Sequence, residues 1–304
     1  MTACQLRIDG VSKSFGGFMA LSGISLEIAS GERVGLIGPN GSGKTTLMSC
    51  IAGSLRINTG SITFEGRDIS GLPAYARTRL GIARSFQLPQ PFRSMSVLEN
   101  LIVPLEYVAH RGSLHTADTR AEAMQILEHI GLTEKADTVS THLTQVDLRK
   151  LELARAMAAR PRMLIADEAM AGLSSVEIEE VLGILWKLNE TGITVVMIEH
   201  IMKAVMRFSQ RVLCLDAGKL IFEGTPEAVV ANPEVQKAYI GARTHHSRPD
   251  GPQRRGPGPA RRLAGTQAGR DGRSAGHKRQ RQEHAHEMRH GDGAADARRD
   301  HPQH

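Results

Sequence analysis

The sequence predicts an α/β fold built on a mixed sheet, and three observations carry that expectation. Short apolar runs at Val34–Ile37, Met163–Ala166, Thr194–Ile198 and Val212–Leu215 have the length and composition of strands covered on both faces. Helical periodicity separates them, over about 45–53, 118–130, 147–159, 176–190 and 201–207. Alternating apolar and polar residues at 5–9 and 24–28 mark half-buried antiparallel strands near the N-terminus.

The first alternating pair, Gln5 to Asp9 and Ile24 to Ile28, forms an antiparallel β unit. Val34–Ile37 is followed by Gly38-Pro39-Asn40-Gly41-Ser42-Gly43-Lys44-Thr45, then by Thr46 and an apolar helical stretch to Ala52. A strand, a glycine-rich turn and a helix start make a phosphate loop. Glycines let successive backbone N–H groups curl around an anion, and the helix N-terminus adds positive potential. Lys44 is placed to reach β- and γ-phosphate oxygens, and Thr45 offers a hydroxyl to Mg²⁺. Ser61–Phe64 with Glu65-Gly66 reads as a further strand and turn. About 88–160 has helical periodicity and almost no strand signal, as an inserted helical subdomain would. Met163–Ala166 then ends in Asp167-Glu168. In a P-loop fold the strand beside the loop delivers an acid to the Mg²⁺ shell, a role for Asp167, and Glu168 is the candidate general base.

Composition narrows the class. Hydrophobic residues make up 40% of the 304, enough for a sizeable core, and aromatics only 4%, which argues against a stacking surface for single-stranded nucleic acid. Cys4, Cys50 and Cys214 lack metal-ligand spacing and read as thiols of a reducing compartment. Neither a signal peptide nor an apolar run of about 18 residues is evident, so the chain is expected to be soluble in itself. The net charge of +6 is uneven: residues 243–304 hold 14 Lys/Arg against 7 Asp/Glu, leaving 24 against 25 before them. The folded part is nearly neutral, and no nucleic-acid partner is expected.

The order of motifs resembles the ATP-binding subunit of an ABC transporter, over about residues 1–242. Phe15, in Ser14-Phe15-Gly16-Gly17, matches the aromatic that stacks on adenine in that family. Gln87, in Ala83-Arg84-Ser85-Phe86-Gln87, matches its glutamine loop, which reaches metal and water, and His200 matches its switch histidine at the γ-phosphate. Leu143-Thr144-Gln145-Val146-Asp147 stands where the family has Leu-Ser-Gly-Gly-Gln, followed by a well-matched basic helix. Thr144 keeps the hydroxyl that the family places on the partner's γ-phosphate. Gln145 and Val146 replace two glycines and put a Cβ where backbone approaches phosphate. A weakened composite site and an intact subfamily variant both fit that departure. Asp167 to Glu177, Ile198 to Met206 and Gly218 to Pro226 are similar to subunits that energise branched-chain amino acid uptake. Ala169 and Ser174 depart from the usual Pro and Asp or Asn there.

The resemblance implies a peripheral subunit on the cytoplasmic face of a bacterial inner membrane, using ATP and Mg²⁺. It implies two membrane permease subunits, a second ATPase subunit in a likeness of a heterodimer, and a periplasmic or extracellular solute-binding protein. Transport of urea or lipopolysaccharide, and a soluble regulatory ATPase, are the alternatives. Residues 243–304 hold Leu263 and Met288 as their large apolar residues and no aromatic, so a disordered basic tail is expected. Read one base later, the codons permitted for Gly276–His284 allow a second phosphate loop. That makes a frameshift origin one reading of the tail, beside a basic arm for anionic lipid or nucleic acid and a histidine-rich metal binder.

Overall fold

The structure, a computed structural model, describes residues 3–85, 89–109 and 116–244. It begins with a long hairpin of β1 (Cys4–Phe15) and β2 (Phe18–Ala29), each longer than its alternating core suggests. The alternation breaks where Gly10 and Gly23 take positive φ. Register slips between Ile8 and Val11, and pairing resumes beyond the irregularity. Next come β3 (Arg33–Ile37), the glycine-rich loop and α1 (Lys44–Ala52), then β4 (Thr59–Phe64) and β5 (Arg67–Asp68). β4 returns to β1, giving a four-stranded antiparallel sheet in the order β2-β1-β4-β5.

Two elements, α2 (Ala74–Arg79) and β6 (Ile82–Ser85), have no clear sequence signal, because each is short and carries an arginine that is not on an exposed face. The helical stretch contains α3 (Val97–Pro104) running into a π-helical turn (Leu105–Ala109), α4 (Thr116–Ile130) and α5 (Gln145–Ala158). Single 3₁₀ turns lie at Thr133–Lys135 and Ser140–His142. Among its described residues the stretch has no strand, only an isolated bridge between Ser96 and Val139. The chain then alternates through β7 (Met163–Asp167), α6 (Ser175–Glu190), β8 (Thr194–Ile198), α7 (Met202–Phe208) and β9 (Arg211–Asp216). It closes with β10 (Lys219–Gly224), α8 (Pro226–Ala231) and α9 (Pro233–Thr244). Helix α9 extends two residues past the expected boundary at 242. The tail lies outside the described residues.

The second sheet has the order β10-β9-β3-β8-β7-β6, parallel except for the β10 edge. Its strands alternate between two cores. Leu164, Ala166, Val195 and Met197 pack with the helical side. Met163, Ile165, Val196 and Ile198 pack instead with α1 and the antiparallel sheet. Each fully buried Val, Leu, Ile or Met side chain among them stabilises by about 1.5–3 kcal/mol. Burial on both faces explains why these strands read as unbroken apolar runs. Among the described residues, no helix is long and apolar enough to cross a membrane.

Candidate functional site

Sheet register gathers the site. Ile198 at the end of β8 is level with Leu36 of β3 on one side and Asp167 of β7 on the other. The chain therefore leaves three neighbouring strands at one height, with Gly38, Glu168 and Glu199-His200 as the next residues. In parallel α/β sheets the carboxyl ends of the strands are where ligands bind.

Phe15, Asn40, Gly41, Ser42, Gly43, Lys44, Thr45, Thr46, Glu168 and His200 line one cleft of about 350 Å³. Phe18 and Ala20 complete the lining and were not foreseen. Phe15 is 47% exposed at the end of β1, with the Lys13 ammonium 5.1 Å from its ring centroid. An exposed aromatic at a cleft mouth is available for stacking.

The loop is built so that only glycine fits where the backbone turns. Gly38 has a φ of +150°, and a Cβ there would lie 2.2 Å from the Leu215 carbonyl oxygen. Gly43, at +102°, would bring a Cβ to 2.7 Å from the Ala20 carbonyl oxygen. Gly43 is also the N-cap of α1 and provides no side-chain cap, so the first N–H groups of that helix are left to a ligand. Lys44 is buried and donates from Nζ to the carbonyls of Gly38 at 2.7 Å and Pro39 at 3.0 Å. Burial holds its pKa below that of an ordinary lysine, opposed by Glu168, Cys214 and Asp167. The Ser42 hydroxyl is buried without a hydrogen-bond partner among the described residues.

Asp167 is buried at the end of β7. Its Oδ2 accepts from Arg84 Nη2 at 2.5 Å, and Arg84 also donates to Ser49 Oγ at 3.0 Å. Glu168 has a φ of +47°, a left-handed conformation costing a non-glycine residue about 1–3 kcal/mol. Its N–H donates to the Ile198 carbonyl at 2.9 Å, which ties the strained residue to β8. Glu168 Oε1 lies 2.9 Å from His200 Nε2. Glu199, the residue before His200, is buried and accepts from the Met170 N–H at 2.9 Å. Burial pushes its pKa up to about 7, assisted by the Glu168 charge and opposed by hydrogen bonds from the Met170 and His200 backbone and by Arg149.

Thr144, Gln145 and Val146 lie outside the cleft, at the start of α5. Thr144 is the N-cap. Its hydroxyl accepts from the Asp147 N–H at 3.3 Å and donates to Asp147 Oδ2 at 2.5 Å. Lys135 Nζ also donates to Asp147 Oδ2, at 2.5 Å. Burial pushes the Asp147 carboxyl up, but the hydrogen bonds from Lys135 and Thr144 outweigh it and hold the pKa low. Gln145 and Val146 form the first helical turn, with no left-handed φ at either position. The conformational part of the expected glycine requirement is therefore absent, and only the extra side-chain bulk remains. Gln87 lies outside the described residues.

Several contributors leave no local mark in sequence. Arg84 reaches Asp167 across 83 positions, and the Gly38 N–H donates to Tyr239 Oη across 201.

Known proteins resemble this chain over most of its length. A family model described as ABC transporter matches residues 21–171. A second, described as branched-chain amino acid ATP-binding cassette transporter, matches residues 219–245. The chain is 39% identical over 253 residues to the high-affinity branched-chain amino acid transport ATP-binding protein LivG of Salmonella typhimurium, covering 79% of this chain and 99% of that protein. It is 37% identical over 252 residues to the corresponding BraF of Pseudomonas aeruginosa, covering 78% and 97%. A crystal structure of the ADP conformation of an ATP-binding cassette of an ABC transporter matches with a TM-score of 0.71 and 30% identity, over 79% of this chain and 100% of that one.

Proposed function

The chain belongs to the ABC transporter family as an ATP-binding, ATP-hydrolysing subunit, and from that membership we propose that it energises uptake of branched-chain amino acids. The proposed assembly has two permease subunits in a bacterial inner membrane, a second ATPase subunit and an extracytoplasmic solute-binding protein. The cargo assignment is supported by the C-terminal match at 219–245 and by identity with LivG and BraF. The single observation that carries the hydrolytic reading is the convergence of Lys44, Glu168 and His200 on one cleft.

In this reading Phe15 stacks on the adenine. The open N–H groups of the loop and α1 take the β-phosphate, and Lys44 exchanges its two loop carbonyls for phosphate oxygens. Thr45 is exposed beside the loop, and Asp167, paired with Arg84, is close enough to act on the Lys44 charge. This all-oxygen donor set suits Mg²⁺ brought in with the nucleotide. When bound, the ion would be held by Thr45, Asp167 and Gln87 and would neutralise charge developing on the phosphates. Glu168 takes the proton of the attacking water as its oxygen bonds to the γ-phosphorus and the bond to the leaving ADP oxygen breaks. His200 holds the Glu168 carboxylate and lies where the γ-phosphate would sit.

A second chain supplies the far wall of the site, and Thr144 of this chain serves the partner's nucleotide. Glu168→Gln in the reconstituted transporter is expected to abolish ATP-driven leucine uptake while leaving ATP bound. Uptake at the unmodified rate would refute the assignment of Glu168. Full ATPase activity without leucine stimulation would refute the cargo.

A further inference from the structure

The phosphate loop is held from outside by the last part of the chain. The Ser42 carbonyl accepts from the Gly218 N–H at 3.0 Å, and the Gly38 N–H donates to Tyr239 Oη at 2.8 Å. Gly218 lies in the two-residue turn between β9 and β10, where positive φ at Ala217 and Gly218 makes a tight hairpin. Tyr239 lies on α9. Two separate elements of the C-terminal segment therefore grip the loop, one at its entry and one near its tip.

The entry contact reaches the functional lysine in two steps. The Gly38 N–H is taken by the phenol, and the Gly38 carbonyl is taken by Lys44 Nζ at 2.7 Å. Contact with the Leu215 carbonyl leaves Gly38 no room for a Cβ, so its peptide groups are confined on one side by backbone and on the other by Tyr239. Burial pushes the Tyr239 hydroxyl up to about 12, and it stays a neutral phenol around neutral pH.

We propose that Tyr239 is a positioning residue of the nucleotide site: its hydroxyl holds the phosphate loop in its ligand-ready shape, making helix α9 a determinant of ATP affinity. The inference rests on the ATP-site reading above. Tyr239 is placed against the loop's first peptide and away from the reacting groups. Its effect is therefore on the ordering that binding must otherwise supply. A loop already shaped for its ligand loses less freedom on binding, and the difference appears as affinity. Removing the hydroxyl strands the Gly38 N–H and frees the loop entry. Losing one hydrogen bond of ordinary strength corresponds to about a fivefold change in an equilibrium constant.

The test compares Tyr239→Phe with Lys44→Ala in the full chain, reading ATP affinity by equilibrium titration with a fluorescent ATP analogue and Mg²⁺. Steady-state kinetics are read in the assembled transporter. Tyr239→Phe is expected to raise Kd and KM for ATP about fivefold, with kcat within about twofold of the parent. It should also speed hydrogen exchange in the peptide spanning Gly38. A merely structural tyrosine would lower Tm and leave affinity and loop exchange alone, and that result overturns the proposal. Lys44→Ala separates the two readings. If it leaves ATP binding intact, the site assignment itself falls. If it abolishes binding while Tyr239→Phe changes nothing, the inference alone falls. Should Tyr239→Phe fail to fold, exchange at Gly38 in the unmodified chain decides. Protection supports the contact, and exchange as fast as in an exposed loop overturns it.

Discussion

Two helices of this chain begin at functionally charged places, and they begin differently. Helix α1 starts at Gly43, in a left-handed conformation with no side-chain cap. Helix α5 starts at Thr144, in extended conformation, with its hydroxyl bonded to Asp147 both as acceptor and as donor. The first leaves its N–H groups open and surrounds them with backbone that excludes any Cβ at Gly38 and Gly43. The second satisfies itself internally, with Lys135 neutralising the Asp147 carboxylate. An open helix N-terminus is an anion trap ready for use, while a capped one must exchange its cap for a ligand. The loop before α1 is thus open to an anion, whereas the start of α5 offers its N–H groups only once the Thr144–Asp147 cap is displaced.

The largest expected effect tests the first half of this contrast. Glu168→Gln in the assembled transporter should lower ATP turnover by about 100-fold or more, the scale of a lost general base, while ATP affinity changes by less than about twofold. Steady-state hydrolysis and equilibrium binding measured on one preparation check both parts.

Substitution of glycine sharpens the difference between the two helix starts. Gly38→Ala, driving a Cβ against the Leu215 carbonyl oxygen, should destabilise the chain by about 3 kcal/mol. Val146→Gly, which restores the family residue in an ordinary helical turn, should cost at most about 1 kcal/mol. Urea denaturation of the two variants reads both numbers. A neutral Gly38→Ala would show that the loop is not confined as described.

The buried carboxylate of Glu199, beside the Glu168–His200 pair, provides a pH test. Glu199 has a folded pKa of about 7, raised above its unfolded value. Native protein then binds more protons than unfolded protein between about pH 4.5 and 7. Stability from this group is fully present below the unfolded pKa and is lost as pH rises through the folded one. The loss is at most about 3 kcal/mol. Glu199→Gln should flatten the stability profile across that window, measured by denaturation at pH 5 and pH 8. An unchanged slope would show that Glu199 is not the group responsible.

The legible part of this molecule was whatever works through neighbours in sequence. The phosphate loop, Asp167-Glu168 and His200 each follow a buried apolar run, so strand ends and chemistry were read together. Parallel register then did what periodicity cannot, setting Leu36, Asp167 and Ile198 level. The illegible part works at long range. β6 is four residues long and carries Arg84, whose pairing with Asp167 depends on sheet order and has no pattern in the local chain. Tyr239 stands 201 positions from Gly38, and only the fold brings its hydroxyl onto the loop. The Thr144 segment was legible as a departure from the family, but its meaning was not. The glycines it lacks are not needed for the backbone angles found there, and the new element is a carboxylate, Asp147, bonded to the capping hydroxyl of Thr144.

In the proposed function the α1 end serves this chain's nucleotide and the α5 end its partner's. Thr144→Ala tests that division most directly, because it removes the α5 cap at a stability cost of about 1 kcal/mol and leaves the α1 cleft intact. ATP affinity is measured in the isolated full chain, and ATP turnover in the assembled transporter. The account predicts an affinity within about twofold of the parent and a turnover reduced by about tenfold, on the scale of one lost contact to a charged phosphate. Weakened ATP binding by the isolated chain, or unchanged turnover in the assembly, would contradict it.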